Sequence, residues 1–501
     1  MSRCLATAVL VFGATLAGCA PLPTDDGRTG TADLLAARGH DLGAADGDAT
    51  VAPLLAALRE RPLTASDAVR LALLNNPDMQ AEYASLGFAA AEVYEAGRMA
   101  NPVLSASVLF PDAGGEANQV GFGLAQNFTD VLLLRSRSRL AEGEYARARE
   151  LIGATALTLA ADTEAAHIRV VGSWQLIAMR EAVAKAATAS AELAQRFHAA
   201  GNIGRLELAL QQAAASEAHL DVLQARAELG AARSALNGLM GLAPSEDCWR
   251  VVDRLPVPLA AENTVPELLQ RADANRLDLA AARREVTLLA DALGVTRSFR
   301  LLGDVELGVE TERETDRSRI TGPTLGLELP LFDHGHGRVA RAQASLQRAE
   351  AQLRALEIDI GNAVQRSAAD VAAAKARADH YRESLIPLRE EIVARTQRKV
   401  NFMLADQFQL LFVKQQEYDA YQGYLEAVRD YWLARVELGR AVGAALPSSA
   451  RVGEAALDAQ MLMQPESRPA PMDHSQHMQH DDSAAPPPPH ATHESSHGDR
   501  P

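Results

Sequence analysis

A mainly α protein with a small β part, arranged as two tandem helix–strand–strand–helix–helix units, is predicted by three features of this sequence. Aromatic residues make up only 4% of its 501 positions, and long runs of Ala, Leu, Glu, Arg and Gln favour extended helices over a β-sandwich. Residues 131–198 hold almost no Gly or Pro, which predicts a single helix of ~68 residues, ~100 Å long. Three short segments also recur in order. Leu73-Leu74-Asn75-Asn76-Pro77-Asp78 pairs with Asp273-Ala274-Asn275-Arg276-Leu277-Asp278. Gly123-Leu124-Ala125-Gln126-Asn127-Phe128-Thr129-Asp130 pairs with Gly326-Leu327-Glu328-Leu329-Pro330-Leu331-Phe332-Asp333, and Leu236-Asn237-Gly238-Leu239-Met240-Gly241 pairs with Leu438-Gly439-Arg440-Ala441-Val442-Gly443. The offset stays at ~200 residues, longer than common solenoid periods, and marks a duplication.

The first unit, 62–245, begins with Thr64 or Ser66 capping a helix that runs to about residue 98, where Asn101-Pro102 stops it. Residues 103–110 and 118–128 read as strands joined by the turn-rich 111–115. The long helix follows, is broken at 200–204, and returns over 205–242. The second unit, 263–447, repeats this with a helix over 266–297, strands over 301–312 and 320–332, a long helix over 337–399 kinked by Pro387, and a return helix over 406–445. A linker, 246–262, joins the units. Within a unit, the first and third helices together match the long one, so they can line it end to end. A helical hairpin ~100 Å long cannot bury its own apolar stripes, so neighbouring copies are required.

The strands carry an alternation. Val305, Leu307 and Val309 alternate with Asp304, Glu306 and Glu310, while Leu325, Leu327, Leu329 and Leu331 alternate with Thr324, Gly326, Glu328 and Pro330. One apolar and one polar face suit a transmembrane barrel with lipid outside and water inside, and equally an amphipathic hairpin on a soluble core. Four strands are too few to enclose a channel, because small barrels need about eight; strands from several protomers must combine.

The ends of the chain add two signals. Arg3 and the short apolar run 5–16 form a signal peptide, residues 1–18, and Leu16-Ala17-Gly18-Cys19 resembles the bacterial lipobox, in which Cys19 is acylated. Ala20 follows, which the resemblance reads as export to the outer membrane, with 19–61 as a lipid-anchored linker. Cys4 leaves with the signal, so Cys248 stands alone as a packed or linker thiol and no intramolecular disulfide forms. At the other end, 448–501 is a Pro-rich polar tail that reads as disordered. It carries Met472, His474, His477, Met478, His480, His490, His493 and His497, a thioether and imidazole set suited to Cu(I) or Ag(I). A solvated low-complexity extension is the competing reading.

Some functions are excluded. A formal net charge of −16 argues against nucleic-acid binding. No phosphate-binding loop, metalloprotease motif or nucleophile–base pair is present, so no enzyme is expected. No cofactor is required.

The chain resembles the TolC-like outer-membrane factor family over 62–447. Leu63-Thr64-Ala65-Ser66-Asp67-Ala68 with Asn75-Asn76-Pro77, and Leu329-Pro330-Leu331-Phe332-Asp333 leading into Arg338 and Ala340, carry the likeness. Tyr431-Trp432-Leu433-Ala434-Arg435-Val436-Glu437-Leu438-Gly439-Arg440-Ala441-Val442-Gly443 is similar to the heavy-metal-efflux branch. The resemblance implies a homotrimer sharing a twelve-stranded outer-membrane barrel and a periplasmic α-helical tunnel. It also implies docking to a periplasmic adaptor and an inner-membrane resistance-nodulation-division pump, which supplies the energy. Asp304, Glu306, Glu310 and Glu328 then face the barrel lumen. Gly201, Asn202 and Gly204 in the first tip, and Asn401 and Asp406 in the second, become periplasmic tip and gate residues. Asp406 reads either as an acidic ring at the constriction or as a helix cap. Phe402-Met403-Leu404 stands where the first tip has Gly201, so an identical turn does not follow from the sequence. His334-Gly335-His336 reads either as a weak metal contact or as a turn. The leading function is metal-ion efflux; drug or type I protein export through the same fold, and a pore-less periplasmic coiled-coil lipoprotein, are the alternatives.

Overall fold

The structure is a computed structural model that describes residues 28–40, 47–110, 117–246, 249–252 and 254–447. Cys19, Cys248 and the Met/His tail lie outside the described residues. After two short helices, α1 (Arg28–Ala36) and α2 (Gly47–Glu60), the first repeat contains α3 (Ala65–Asn75), α4 (Pro77–Ala96), β1 (Val103–Leu109), β2 (Gln119–Asn127), α5 (Thr129–Ala199) and α6 (Arg205–Met240). The second contains α7 (Val265–Asn275), α8 (Leu277–Ser298), β3 (Val305–Arg313), β4 (Arg319–Leu327), α9 (His336–His380), α10 (Ile386–Asn401) and α11 (Gln407–Val442). Within each repeat the helical part, two strands, long helix and return helix follow in the expected order. No helix among the described residues is long and apolar enough to cross a membrane.

Local sequence explains most boundaries. Thr64 caps α3 by accepting the Asp67 N–H at 3.2 Å, and Thr264 opens α7 in a capping box with Glu267. At 71 residues, α5 is about 107 Å long. Its buried stripe includes Ala156, Ala160, Ala161, Ala165 and Ala166, whose small side chains let neighbouring helices approach closely.

Two sequence expectations are corrected. The first helix of each repeat is two helices, broken at Asn76 and at Arg276, both extended in backbone. In the first, Asn76-Pro77-Asp78 places an N-cap, a Pro at the first helical position and an acid in the first turn, so it starts a new helix. The second long helix is not continuous α-helix either. Pro387 has no N–H for the carbonyl of Glu383, and the chain answers with a π turn over Tyr381–Leu385, where Ile386 N–H reaches the carbonyl of Tyr381.

The breaks form joints. Asn76 Oδ1 accepts Met79 N–H at 3.1 Å and so caps α4, while its Nδ2 donates to the Leu239 carbonyl at 3.0 Å and so caps the end of α6. Asn75 adds bonds to the carbonyls of Met240 and Gly241, both at 3.0 Å. The return helix thus meets α4 end to end, C-terminal carbonyls toward N-terminal amides, with aligned dipoles. The second repeat does this with charge: Arg276 donates to the Ala441 carbonyl at 3.1 Å and pairs with Asp278 in the first turn of α8. End-to-end lining of the long helix is therefore as expected, with α4 and α8 as the stacked partners.

The main core surrounds these joints and gathers Leu63, Leu71, Val170, Val171, Leu236, Trp249, Tyr421 and Tyr431. His167 is buried here and its Nε2 lies 2.9 Å from the Leu63 carbonyl. Burial holds this imidazole below its ordinary pKa against the opposing pull of the Leu63 carbonyl and Asp67, so Nε2 is the donor of a neutral ring. Each return helix ends on a left-handed glycine, Gly241 (φ +69°) and Gly443 (φ +75°). A Cβ on Gly241 would stand 2.5 Å from the Asn75 carbonyl oxygen. Gly241→Ala combines that clash with a φ hostile to L side chains. It should lower stability by about 2 kcal/mol or more, read as a lower thermal midpoint of the purified protein.

Candidate channel surfaces

The four strands form one antiparallel sheet in the order β1-β2-β3-β4. The outer edges of β1 and β4 have no strand partner among the described residues. Register assigns the faces. Leu104, Leu124, Val309 and Pro323 stand in one cross-strand row, with Leu307–Leu325 and Val305–Leu327 on the same side. Leu104 is 73% exposed and Leu325 66% exposed, so this apolar face is uncovered within one chain. The opposite face carries Ser105–Gly123–Glu310–Gly322, Ser107–Gly121–Glu312–Ile320 and Asn127–Glu306–Gly326. Carboxylates there are flanked mainly by Gly and Ser, leaving the face open.

Of the expected acidic residues, Glu306 and Glu310 lie in β3 and share the polar face. Asp304 and Glu328 lie just outside the strands: Asp304 N–H donates to Glu328 Oε2 at 3.2 Å, closing the helix-side end of the hairpin. β4 stops at Leu327, so Leu329 and Leu331 do not continue its apolar row. Glu312 was missed, although it extends the alternation by one step; it bonds Gln119 across the sheet. His334-Gly335-His336 is a turn, with Asp333 Oδ1 accepting Gly335 N–H at 2.8 Å and Gly335 at φ +72°. No group of three His, Cys, Asp or Glu side chains fit for a metal occurs among the described residues.

At the far end of the helices the two tips repeat each other closely. Gly201 N–H bonds the His198 carbonyl at 2.9 Å and Asn202 N–H the Phe197 carbonyl at 2.8 Å. Met403 N–H bonds the Val400 carbonyl at 2.9 Å and Leu404 N–H the Lys399 carbonyl at 2.8 Å. Met403 takes φ +57° where Gly201 takes +77°. The second tip thus keeps the first tip's turn without a Gly. The residues starting the return helices also match, Gly204 at φ −77°, ψ 167° and Asp406 at φ −84°, ψ 166°. Asp406 is the N-cap of α11, its Oδ1 accepting Gln409 N–H at 2.6 Å. Asn202 and Asn401 are exposed; Asn401 accepts from Gln397 at 3.0 Å. What differs is the display: Phe402, Met403 and Leu404 are 75%, 94% and 77% exposed. Edge-to-face contact of Phe197 and Phe408, centroids 6.2 Å apart, ties the two hairpins together near their tips.

The last-helix motif has a structural task. Tyr431 and Arg435 both bond Glu262, Trp432 Nε1 donates to the Pro256 carbonyl at 2.7 Å, and Arg435 Nη2 donates to the Pro447 carbonyl at 2.5 Å. Burial, reinforced by Glu262, pushes the Tyr431 phenol above its ordinary pKa. The motif staples the inter-repeat linker and the chain's exit onto α11. Nearby, a cavity of about 500 Å³ is lined by Glu164, Arg276, Arg366, Arg435 and Arg440 among others. Burial raises the Glu164 carboxyl pKa, with Arg435 opposing.

Two duplicated helical hairpins thus end in one open sheet with an apolar and a polar face. The outer membrane efflux protein model matches residues 68–242 and again 268–444, one match to each repeat. The chain belongs to that family. It is 27% identical over 257 residues to the cobalt-zinc-cadmium resistance protein CzcC of Cupriavidus metallidurans, across 49% of this chain and 59% of that protein. The chain thus spans less than two thirds of that relative's length. Crystal structures of CusC share the fold at TM-score 0.63 and 15% identity, over 76% of this chain and 92% of that one. The Campylobacter jejuni CmeC outer membrane channel does so at TM-score 0.64 and 16% identity, over 81% and 89%.

Arg435 is 7% exposed and Glu262 18%. Arg435→Ala strands a mostly buried carboxylate and should cost about 3 kcal/mol. A thermal melt of the purified protein should show the drop, and Glu262→Gln in the same background should recover part of it.

Proposed function

We propose that three copies of this chain close one twelve-stranded barrel in the outer membrane and continue it as an α-helical tunnel through the periplasm. The observation that carries this is the sheet: among the described residues, two edges without strand partners and an uncovered apolar face, opposite a polar face of Glu, Gly and Ser. β1 and β4 are antiparallel, so β4 of one copy can pair with β1 of the next. Two copies would give eight strands, whose interior side chains fill; three give twelve and leave a lumen. Glu306, Glu310 and Glu312 then face water and favour cations, and Asp304 and Glu328 sit at the tunnel-side mouth. The tips at Gly201–Gly204 and Asn401–Asp406 meet a periplasmic adaptor and close the resting channel, and an inner-membrane resistance-nodulation-division pump supplies the energy. Cys19 carries lipid and anchors the chain to the membrane.

Heavy-metal ions are the proposed cargo. Likeness to a cobalt-zinc-cadmium resistance protein and the acidic face support metal cations as a class. Copper and silver are favoured by the thioethers of Met472 and Met478 with the imidazoles of His474, His477, His480, His490, His493 and His497.

Conductance in planar bilayers tests the channel. Val309→Lys places an ammonium in mid-bilayer at a cost of about 2–4 kcal/mol and should abolish assembly. Glu310→Lys should assemble, conduct and shift selectivity toward anions. The reverse pair of results would invert the faces, and absence of any wild-type conductance would end the channel reading.

Truncation after Pro447 should leave conductance unchanged. Tolerance to copper or silver should fall modestly in cells while drug tolerance holds. Full tolerance to every metal tried would remove the tail from the cargo assignment.

A further inference from the structure

The apolar face of the β3–β4 hairpin changes character along its length. From the helix end outward its cross-strand pairs are Val305–Leu327, Leu307–Leu325, Val309–Pro323, Thr311–Thr321 and Arg313–Arg319. The two threonine hydroxyls bond each other at 2.9 Å. Beyond them two arginines stand directly opposite, both exposed, and neither makes an ion pair among the described residues. Like charges in direct cross-strand register destabilise an antiparallel pair. The sheet holds acids that would relieve this, but Glu306, Glu310 and Glu312 all lie on the other face.

The position of the pair is informative. All helices leave the sheet at its other end, beside Val103, Asn127, Val305 and Leu327. From 305 to 313 the strand advances ~26 Å, or ~20 Å of height at a ~40° tilt. A barrel's apolar band is ~25 Å tall. The arginines therefore fall where hydrocarbon gives way to headgroups on the side away from the periplasm, after three apolar pairs and one hydroxyl pair.

We propose that Arg313 and Arg319 bind the phosphate of an anionic lipid in the outer leaflet of the outer membrane. A guanidinium matches two phosphate oxygens at once, and two guanidinium groups in cross-strand register offer a doubly cationic seat. The ligand is a lipid and not free phosphate, because the seat is continuous with Val309, Leu307 and Leu325, along which acyl chains would lie. The inference rests on the barrel reading above.

Native mass spectrometry of the full-length protein in detergent tests it, with phosphorylated lipid A and its dephosphorylated form as probes. The wild type should retain the phosphorylated glycolipid and not the other. R313Q/R319Q should retain about tenfold less, and R313K/R319K an intermediate amount, because Lys keeps the charge but loses the fork. Equal retention by wild type and R313Q/R319Q overturns the proposal. So does equal retention of the two probes by the wild type, a comparison that stands even if the Gln variant does not assemble. Displacement of the glycolipid by equimolar inorganic phosphate would overturn the lipid assignment. Wild-type conductance, measured in parallel, separates the two readings: a conducting protein without phosphate-dependent retention loses only the lipid site, whereas loss of conductance removes the barrel and the proposal with it.

Discussion

Everything in this fold depends on how a helix ends against another helix. A 71-residue helix needs a partner along its length, and a single return helix of 36 residues is too short. The joint at Asn76 solves the mismatch. One amide side chain satisfies an N-terminal N–H of α4 and a C-terminal carbonyl of α6, groups that a helix end otherwise leaves orphaned. Left-handed Gly241 then lets the chain leave without touching the Asn75 carbonyl. The second repeat solves the same problem with Arg276 and Asp278. Conserving geometry while exchanging an amide for an ion pair shows that the joint is defined by where the orphan groups fall.

From the joints outward the two ends of the molecule diverge in kind. Toward the tips, helices pack on helices and the backbone satisfies itself. Toward the sheet, the backbone is satisfied only between strands, and the chain stops short of completing the ladder at β1 and β4. Among the described residues no helix core lies beneath the sheet's apolar face, whose leucines stand exposed. Both deficits are ones that the proposed barrel, shared among copies and surrounded by lipid, would relieve.

Much of this was legible in sequence. The repeat, the element order, the strand faces and the long helices all follow from periodicity and from Gly and Pro punctuation. Asn76-Pro77-Asp78 also carried a helix start, but the apolar periodicity on either side of it masked the break; at Arg276 no Pro marked it at all. The π turn arose from the geometric debt of Pro387, whose form sequence does not dictate. The last-helix motif was legible as a family likeness but not as a staple, because Glu262, Pro256 and Pro447 are distant in sequence or irregular in structure. Glu312 continues the β3 alternation one step beyond Glu310, at the strand's outer end. Cys19, Cys248 and the Met/His tail lie outside the described residues.

The matched tips have a consequence for how much change each can absorb. The first turn uses Gly201 at its left-handed position and leaves α6 without a side-chain cap at Gly204. The second holds Met403 there, a strain on the order of 1 kcal/mol, and opens α11 on the Asp406 cap, a gain of similar size. The two terms nearly cancel, so three apolar side chains are displayed at little net expense to the turn. Mutational tolerance is correspondingly uneven. The first tip can lose its exposed side chains with the turn intact, whereas in the second any change that draws Asp406 away from Gln409 leaves Met403's strain without its counterweight.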